Sequence, residues 1–265
     1  MYMPMLDIDG TSLYYTVKGN GIPIVFIHPP VLTGSNFKYQ VEGLSQNFKV
    51  ITFDIRGHGR SQYSDIPIIY SLIVEDIKHL LDHLNIQKAV ICGYSTGGSV
   101  ALEYLLNASD RALGGIVISG MSEVKDRELK QKISLAISLA NNKAVPLLAL
   151  AISHGNSNSL KLFNTLFNEA LTGDSINIEQ YFRYSLHYNC TNQLKNIPLP
   201  VLLVYGKKDK QFHYYAKLLH ENLPYNELQV IDYAKHQIPT KSANDLNQLI
   251  THFIETTMNE VTGEY

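Results

Sequence analysis

Short apolar runs alternate with amphipathic segments of helix length along most of this chain, and this alternation limits the folds open to it. Six runs are rich in β-branched side chains and usually end at a glycine or an acid: 24–28, 50–54, 88–93, 114–120, 200–206 and 228–231. Because they are apolar almost throughout, they predict strands covered on both faces, as in a parallel sheet. The amphipathic segments that predict helices are 70–85, 97–107, 212–222 and 241–257.

The N-terminal segment has a different pattern. Residues 6–17 alternate between apolar and polar around Asp9-Gly10, which predicts an antiparallel hairpin at the edge of the sheet. Together with the six apolar runs, this hairpin predicts an α/β fold. We expect a mostly parallel, doubly wound sheet of about eight strands.

Residues 121–191 interrupt the alternation. They show several helical patterns and no strand pattern, and a structureless loop of that length is uncommon in a compact domain. We therefore expect a helical cap subdomain over 121–191, inserted into a core formed by 1–120 and 192–265. The cap is aliphatic at 133–152 and rich in tyrosine at 181–188, and both stretches are expected to wall a pocket.

Composition and charge exclude several classes of function. The chain has 265 residues, 45% of them hydrophobic, and a net charge of −2, with no basic run interleaved with aromatics, so nucleic-acid binding is not expected. Polar residues and Pro146 interrupt the longest apolar segment, 133–153, so no membrane span is expected. The first ten residues lack the pattern of a secretion signal, and Cys92 and Cys190 match no disulfide or metal spacing. These features predict a cytoplasmic protein, monomeric or homodimeric, whose partner is a small molecule.

A G-x-S-x-G pentapeptide, GYSTG (93–97), lies between a predicted buried strand and a predicted helix. This is the context of a nucleophile elbow, a tight turn that exposes a serine hydroxyl above the sheet. Side chains at Gly93 and Gly97 would clash in such a turn, and the helix directs its free N–H groups at the same place. Ser95 is therefore the candidate nucleophile.

A serine of this kind needs a histidine to accept its proton and an acid to orient that histidine. In this architecture the acid and then the histidine follow the serine in the chain, on loops after later strands. Asp209 follows the strand predicted at 200–206, and His236 follows the one at 228–231. Asp232 is too close to His236 in sequence to orient it, and Glu123, just after 114–120, is the alternative acid.

With these motifs, the chain resembles the α/β-hydrolase superfamily, as a serine-nucleophile member with a helical cap, similar to carboxylesterases. The resemblance covers 8–120 and 195–258 and rests on IHPP (27–30), DIRGHGRS (54–61), GYSTGG (93–98), GKKD (206–209) and KHQIP (235–239). It implies that DIRGHGRS is a structural loop, knitted by Asp54 and Arg56, in which His58 packs rather than reacts. Relatives that cleave carbon–halogen bonds have aspartate at the elbow, where this chain has Ser95, and many of them use a pocket tryptophan, whereas this chain contains no Trp. Carbon–halogen cleavage is therefore not expected.

The resemblance also implies an oxyanion hole with two backbone donors. One is the N–H of Thr96, which follows the nucleophile, and the other comes from the loop after the strand at 24–28. In relatives the residue at the position of Pro30 supplies that second N–H, but a proline has none. We expect the register to shift so that Val31 donates, with Pro30 and Tyr94 contacting substrate; the alternative is a hole with one donor missing.

The remaining histidines predict no cofactor. His79 and His83 share a helix face, but two ligands make only half a metal site, and His154, His187 and His213 could approach the pocket without a defined role. We therefore expect neither a metal nor another cofactor.

The favoured function is hydrolysis of carboxylic esters of small to medium, mostly apolar substrates through an acyl-enzyme on Ser95. With seven Lys/Arg against six Asp/Glu, the cap argues against a strongly anionic substrate. Two alternatives stay open. One is carbon–carbon bond hydrolysis or a lyase reaction with the same triad, for which Arg127 and Arg183 are the basic candidates in the cap. The other is a ligand-binding protein with slow turnover.

Overall fold

The computed structural model of the chain describes residues 4–262, and side chains as far as residue 257. The outer ends of the expected core, 1–3 and 263–265, lie outside the described residues. Eight strands form one sheet: β1 (Met5–Ile8), β2 (Thr11–Lys18), β3 (Pro23–Ile27), β4 (Lys49–Phe53), β5 (Ala89–Tyr94), β6 (Ala112–Ile118), β7 (Val201–Gly206) and β8 (Asn226–Ile231). Each predicted strand is present within two residues of its expected limits.

The sheet has the order β1-β2-β4-β3-β5-β6-β7-β8. The pairs β1–β2 and β2–β4 are antiparallel, and all later pairs are parallel. Asp9 and Gly10 both have positive φ, 52° and 84°, as the two-residue turn of the predicted hairpin requires. The mostly parallel α/β fold expected from the sequence is therefore confirmed.

The described part of the chain also contains ten α-helices: α1 (Lys38–Leu44), α2 (Tyr70–His83), α3 (Thr96–Asn107), α4 (Arg127–Asn141), α5 (Val145–Asn156), α6 (Leu160–Ala170), α7 (Ser175–His187), α8 (His213–Asn222), α9 (Ile238–Lys241) and α10 (Ala243–Thr262). Every residue of β5 and β7 is buried, because two apolar clusters cover the sheet. One cluster includes apolar side chains of α2, α3 and α8, and the other includes those of α1 and α10. This doubly covered sheet is the reason that the strands read as continuous apolar runs.

Between β6 and β7 the chain forms α4, α5, α6 and α7, in which α4 packs on α7 and α5 on α6. We call these four helices and their loops, 121–191, the helical insertion. Its description as a separate cap subdomain stays a prediction. None of the helices within residues 4–262 is both long and apolar enough to cross a membrane.

Candidate active site

Ser95 lies at the sharp turn between β5 and α3. Its φ of 55° and ψ of −122° are strained for a residue with a side chain. A Cβ on Gly93 would lie 2.0 Å from the carbonyl oxygen of Gly97, and one on Gly97 would lie 2.2 Å from that of Ile27. Only glycine fits at both places, which is why this turn requires the G-x-S-x-G pattern.

The structure brings Ser95, Asp209 and His236 together from three loops at the carboxyl edge of the sheet. His236 Nδ1 is 2.8 Å from Asp209 Oδ2, and His236 Nε2 is 3.1 Å from Ser95 Oγ. A carboxylate can only accept, so Nδ1–H donates to Asp209 and Nε2 is left to accept the serine proton. The geometry allows this histidine to act as a base toward Ser95.

Two aromatic rings and one backbone contact position the imidazole of His236. The ring centroids of Phe212 and Tyr94 lie 4.3 and 5.5 Å from that of His236. Ser119 Oγ donates to the carbonyl oxygen of His236 at 3.2 Å. The Tyr94 hydroxyl donates to Asn156 Oδ1 at 3.0 Å, so the residue before the candidate nucleophile is bonded to α5 of the insertion.

The loop after β3 carries an unusual backbone conformation. Pro30 and Val31 occupy a turn, and Val31 has a φ of 74°, an outlier for a β-branched residue. A proline followed by a positive φ is the pattern of a type II turn. No backbone carbonyl of residues 4–262 accepts a hydrogen bond from the N–H of Val31 or Leu32. A strained turn with two unpaired N–H groups therefore lies where the sequence predicts the oxyanion loop.

His28 explains how the chain enters this loop. Its Nε2 accepts a hydrogen bond from the Ile55 N–H at 2.9 Å, and its Nδ1 donates to the Pro29 carbonyl at 2.9 Å. Burial, followed by the nearby His58, lowers the pKa of His28 to about 3. The imidazole therefore stays neutral and connects the candidate oxyanion loop to the loop after β4.

A carboxylate of the insertion, that of Glu169 on α6, also bonds the residues that follow the candidate oxyanion loop. Glu169 is 8% exposed; it accepts hydrogen bonds from the hydroxyls of Thr33 and Ser35 and forms an ion pair with Arg60. Asp54 accepts the N–H groups of Gly34 and Arg60, and burial raises its pKa to about 6. Glu169 was not identified from the sequence. An acid on the apolar face of an amphipathic helix predicts a buried carboxylate with hydrogen-bond partners, and this pattern could have identified it.

Asp54 and Arg56 hold the DIRGHGRS loop through separate partners. Asp54 accepts the backbone N–H groups described above, and the Arg56 guanidinium bonds both oxygens of Asp76 on α2 in a buried ion pair. His58 is buried, and its Nδ1 donates to the Arg56 carbonyl. Burial lowers the pKa of His58 to about 4, which fits a packing role.

An apolar cavity of about 620 Å³ opens directly above Ser95, between the sheet edge and the insertion. We call it the apolar arm. Its wall includes Pro29, Pro30, Tyr94, Ser95, Thr96 and His236 together with aliphatic side chains of α4 and α5, among them Leu129, Ile133, Ala136, Leu148 and Ile152. The expected contact positions Pro30 and Tyr94 thus lie at this cavity, although what they bind stays a prediction.

Other candidates lie elsewhere. Glu123 bonds Asn189 and Tyr214 rather than His236, so it is not the acid beside the imidazole. Arg127 and Arg183 do not line the apolar arm, and Arg183 pairs with Glu179. His83, His154, His187 and His213 do not line it either: His83 bonds Tyr15, His154 contacts Phe163, His213 donates to the Lys207 carbonyl, and His187 lines a separate surface groove.

Of the tyrosine-rich stretch 181–188 that was expected to wall the pocket, Phe182 lines the apolar arm, but the tyrosines do not. Tyr181 donates to the His28 carbonyl, and Tyr184 and Tyr188 pack on Tyr70, so these rings bind the insertion to the core. The aliphatic half is placed as expected. Among the residues that the structure describes, no group of three His, Cys, Asp or Glu side chains could hold a metal ion.

Comparisons with known proteins agree with this architecture. Residues 37–242, more than three quarters of the chain, match the model of the family described as serine aminopeptidase, S33. The sn-1-specific diacylglycerol lipase ABHD11 of Danio rerio is 39% identical over 108 residues, 39% of this chain and 34% of that protein. The match thus spans about a third of that relative's length.

Longer matches have lower identity. The non-heme chloroperoxidase of Streptomyces lividans is 26% identical over 225 residues, 78% of this chain and 82% of that protein. An esterase from Exiguobacterium antarcticum superposes with a TM-score of 0.86 at 21% identity, covering 96% of this chain and 100% of that one. The chain belongs to the family described as serine aminopeptidase, S33, within the α/β-hydrolase superfamily.

Proposed function

We propose that the protein hydrolyses carboxylic esters with an apolar acyl group through an acyl-enzyme on Ser95. The observation that carries this proposal is the imidazole of His236, which is hydrogen-bonded to both Ser95 and Asp209 at the floor of an apolar cavity. A serine with a base at 3.1 Å is equipped for nucleophilic attack, and the cavity supports an apolar acyl group.

In the first half of the reaction, Ser95 Oγ attacks the ester carbonyl carbon while His236 Nε2 takes the hydroxyl proton. Asp209 holds Nδ1–H and stabilises the imidazolium that forms. The tetrahedral intermediate then collapses: the bond to the alcohol oxygen breaks, and Nε2–H gives that oxygen its proton. The alcohol leaves and the acyl group stays on Ser95.

In the second half, water attacks the acyl carbonyl carbon and gives a proton to Nε2. The second tetrahedral intermediate releases the carboxylic acid, and the proton returns from Nε2 to Ser95 Oγ. Both halves begin and end with the neutral histidine tautomer, protonated at Nδ1, that the hydrogen bonds to Asp209 and Ser95 support.

The oxyanion of both intermediates is assigned to two backbone donors, the N–H of Thr96 and that of Val31. Thr96 is the first residue of α3, so its N–H has no intrahelical partner. The positive φ of Val31 and its unpaired N–H support the shift of the second donor away from Pro30. Removing one donor of this kind costs about 3 kcal/mol of transition-state stabilisation.

The test is turnover of p-nitrophenyl esters from acetate to dodecanoate, together with labelling by a fluorophosphonate. We expect ester turnover that favours acyl groups longer than acetyl, stoichiometric labelling, and loss of both in Ser95→Ala. Labelling without turnover of any ester would favour the ligand-binding alternative. Turnover of a carbon–carbon substrate but no ester would favour the other alternative and contradict this proposal.

A further inference from the structure

A second cavity, of about 360 Å³, adjoins the apolar arm on the other side of the imidazole of His236. We call it the polar arm. The two cavities share Ser95, Leu129, Lys132, His236 and Gln237, and the polar arm adds Lys208, Asp209, Gln211, Phe212 and Lys235. The candidate catalytic groups therefore lie at the junction of an aliphatic cavity and a polar one.

The polar arm carries uncompensated positive charge. Lys208 and Lys235 are exposed, and among the side chains described, residues 4–257, no carboxylate lies within 4.0 Å of either ammonium group. The acid in this wall, Asp209, is held by His236. By contrast, the neighbouring Lys207 is paired with Asp232.

The roof of the polar arm is fixed by contacts between the insertion and the core. Lys132 pairs with Glu128 and donates to Gln211 Oε1 at 2.9 Å. Gln211 in turn donates to Asp126 Oδ1 at 2.9 Å. These hydrogen bonds connect α4 to the loop that carries Lys208, so they fix the walls of the polar arm beside the imidazole.

The chemistry of ester cleavage assigns a different part of the substrate to each arm. The expected oxyanion loop, with Pro29 and Pro30, lines only the apolar arm, so the acyl carbonyl must face that side. The alcohol oxygen must receive its proton from His236 Nε2 and therefore leaves toward the groups around that imidazole. Asp209 and Phe212, which contact that imidazole, line the polar arm and not the apolar one.

We propose that the polar arm binds an alcohol portion that carries an anionic group, with a carboxylate as the test case, through Lys208 and Lys235. This inference rests on the proposed function and names its substrate class: an apolar acyl group esterified to an anionic alcohol. It adds one anionic group to the mostly apolar substrate expected from the sequence, where only the charges of the insertion counted against a strongly anionic substrate. Lys208 and Lys235 belong to loops after β7 and β8 instead.

The test compares two esters of nearly the same shape that differ in charge, the hexanoyl ester of 4-hydroxybenzoate and that of 4-hydroxybenzamide; the benzamide is the better leaving group, so leaving-group acidity alone would favour the neutral ester. We expect kcat/KM to be about fivefold higher for the anionic ester, the scale of two solvent-exposed ion pairs. Lys208→Gln and Lys235→Gln should each reduce this preference, and the double variant should abolish it. Lys207→Gln is the matched control and should leave it unchanged, while molar salt should reduce it.

A binding measurement separates this inference from the proposed function. The non-hydrolysable amides 4-hexanamidobenzoate and 4-hexanamidobenzamide are titrated calorimetrically into Ser95→Ala, which binds without turnover. Tighter binding of the benzoate that is lost in the lysine variants supports the inference even if neither ester is cleaved. Equal affinity for the two amides, or an anion preference that survives Lys208→Gln/Lys235→Gln, would overturn it.

Discussion

Replacing Glu169 by glutamine is expected to loosen the loop that carries the proposed oxyanion donor at Val31. Glu169 is one of the residues by which the insertion holds this loop, and it acts through the hydroxyls of Thr33 and Ser35. It also pairs with Arg60 of the loop after β4. Glutamine keeps the shape of the side chain but removes its charge, so each of these contacts is weakened rather than deleted.

The magnitude follows from the three contacts. A hydrogen bond to a charged group contributes about 1.5–3 kcal/mol and a neutral one about 0.5–1.5, so each hydroxyl contact loses about 1 kcal/mol. Arg60 is 40% exposed, which limits that ion pair to under about 1 kcal/mol. The free energy of unfolding should therefore fall by about 2–3 kcal/mol.

The activity should fall in a way that a purely structural role would not produce. A displaced oxyanion donor weakens binding of the transition state but not of the ground state. We therefore expect kcat for a p-nitrophenyl ester to fall about tenfold or more, with KM nearly unchanged. The measurements are urea unfolding and steady-state kinetics at a temperature where both proteins are folded.

Glu179→Gln is the matched control. Glu179 lies in the same insertion, its side chain is 10% exposed like that of Glu169, and it also pairs with an arginine, Arg183. Its side chain bonds Arg183 and, among the described residues, no residue of the candidate oxyanion loop, so its substitution should cost under about 1 kcal/mol and leave kcat unchanged. Equal effects of the two substitutions on kcat would refute the reasoning. So would losses in the free energy of unfolding that simply add when Glu169→Gln is combined with Thr33→Val, because two residues in contact should be coupled.

Two further predictions concern the cavity and the buried histidines. Ala136→Phe should fill the apolar arm and lower kcat/KM for the dodecanoate ester at least tenfold, while kcat/KM for the acetate ester stays unchanged. Ser138 is exposed on the same helix, so Ser138→Phe is the control and should change neither value. An equal loss on both esters in Ala136→Phe would contradict the assigned acyl site. In the folded protein the pKa of His58 is about 4, whereas its ordinary value is 6.5. Between pH 6.5 and 4 unfolding therefore takes up a proton at His58, and the free energy of unfolding falls as the pH drops through this range. In His58→Gln this fall should be less steep, and the slopes of the two proteins should differ by about 1.4 kcal/mol per pH unit. Equal slopes of the free energy of unfolding against pH, measured by urea titration, would contradict this.

The parts of the site that the sequence predicted are those fixed by local backbone geometry and chain order. Gly93 and Gly97 are required by contacts with neighbouring backbone atoms, so the elbow leaves a short motif. Asp209 and His236 each follow a strand whose apolar run is visible in the sequence. Parallel strands end at one edge of the sheet, and this alone brings the two side chains near Ser95.

The parts that it did not predict depend on contacts between distant segments. Glu169 meets Thr33 across 136 residues, and Tyr181 meets His28 across 153. Nothing in a tyrosine-rich helix says whether its rings face a pocket or a core, because either environment stabilises them. Likewise, the charge of Lys208 becomes relevant only once the fold has placed it beside His236.

The most direct test of the proposed mechanism is to trap the acyl-enzyme. Rapid mixing with p-nitrophenyl hexanoate, acid quenching and mass spectrometry of the digested protein should find one hexanoyl group on the peptide that contains Ser95. A burst of p-nitrophenolate equal to the enzyme concentration should accompany it wherever deacylation is slower than acylation. An acyl group on any other residue, or undiminished ester turnover by Ser95→Ala, would contradict the mechanism.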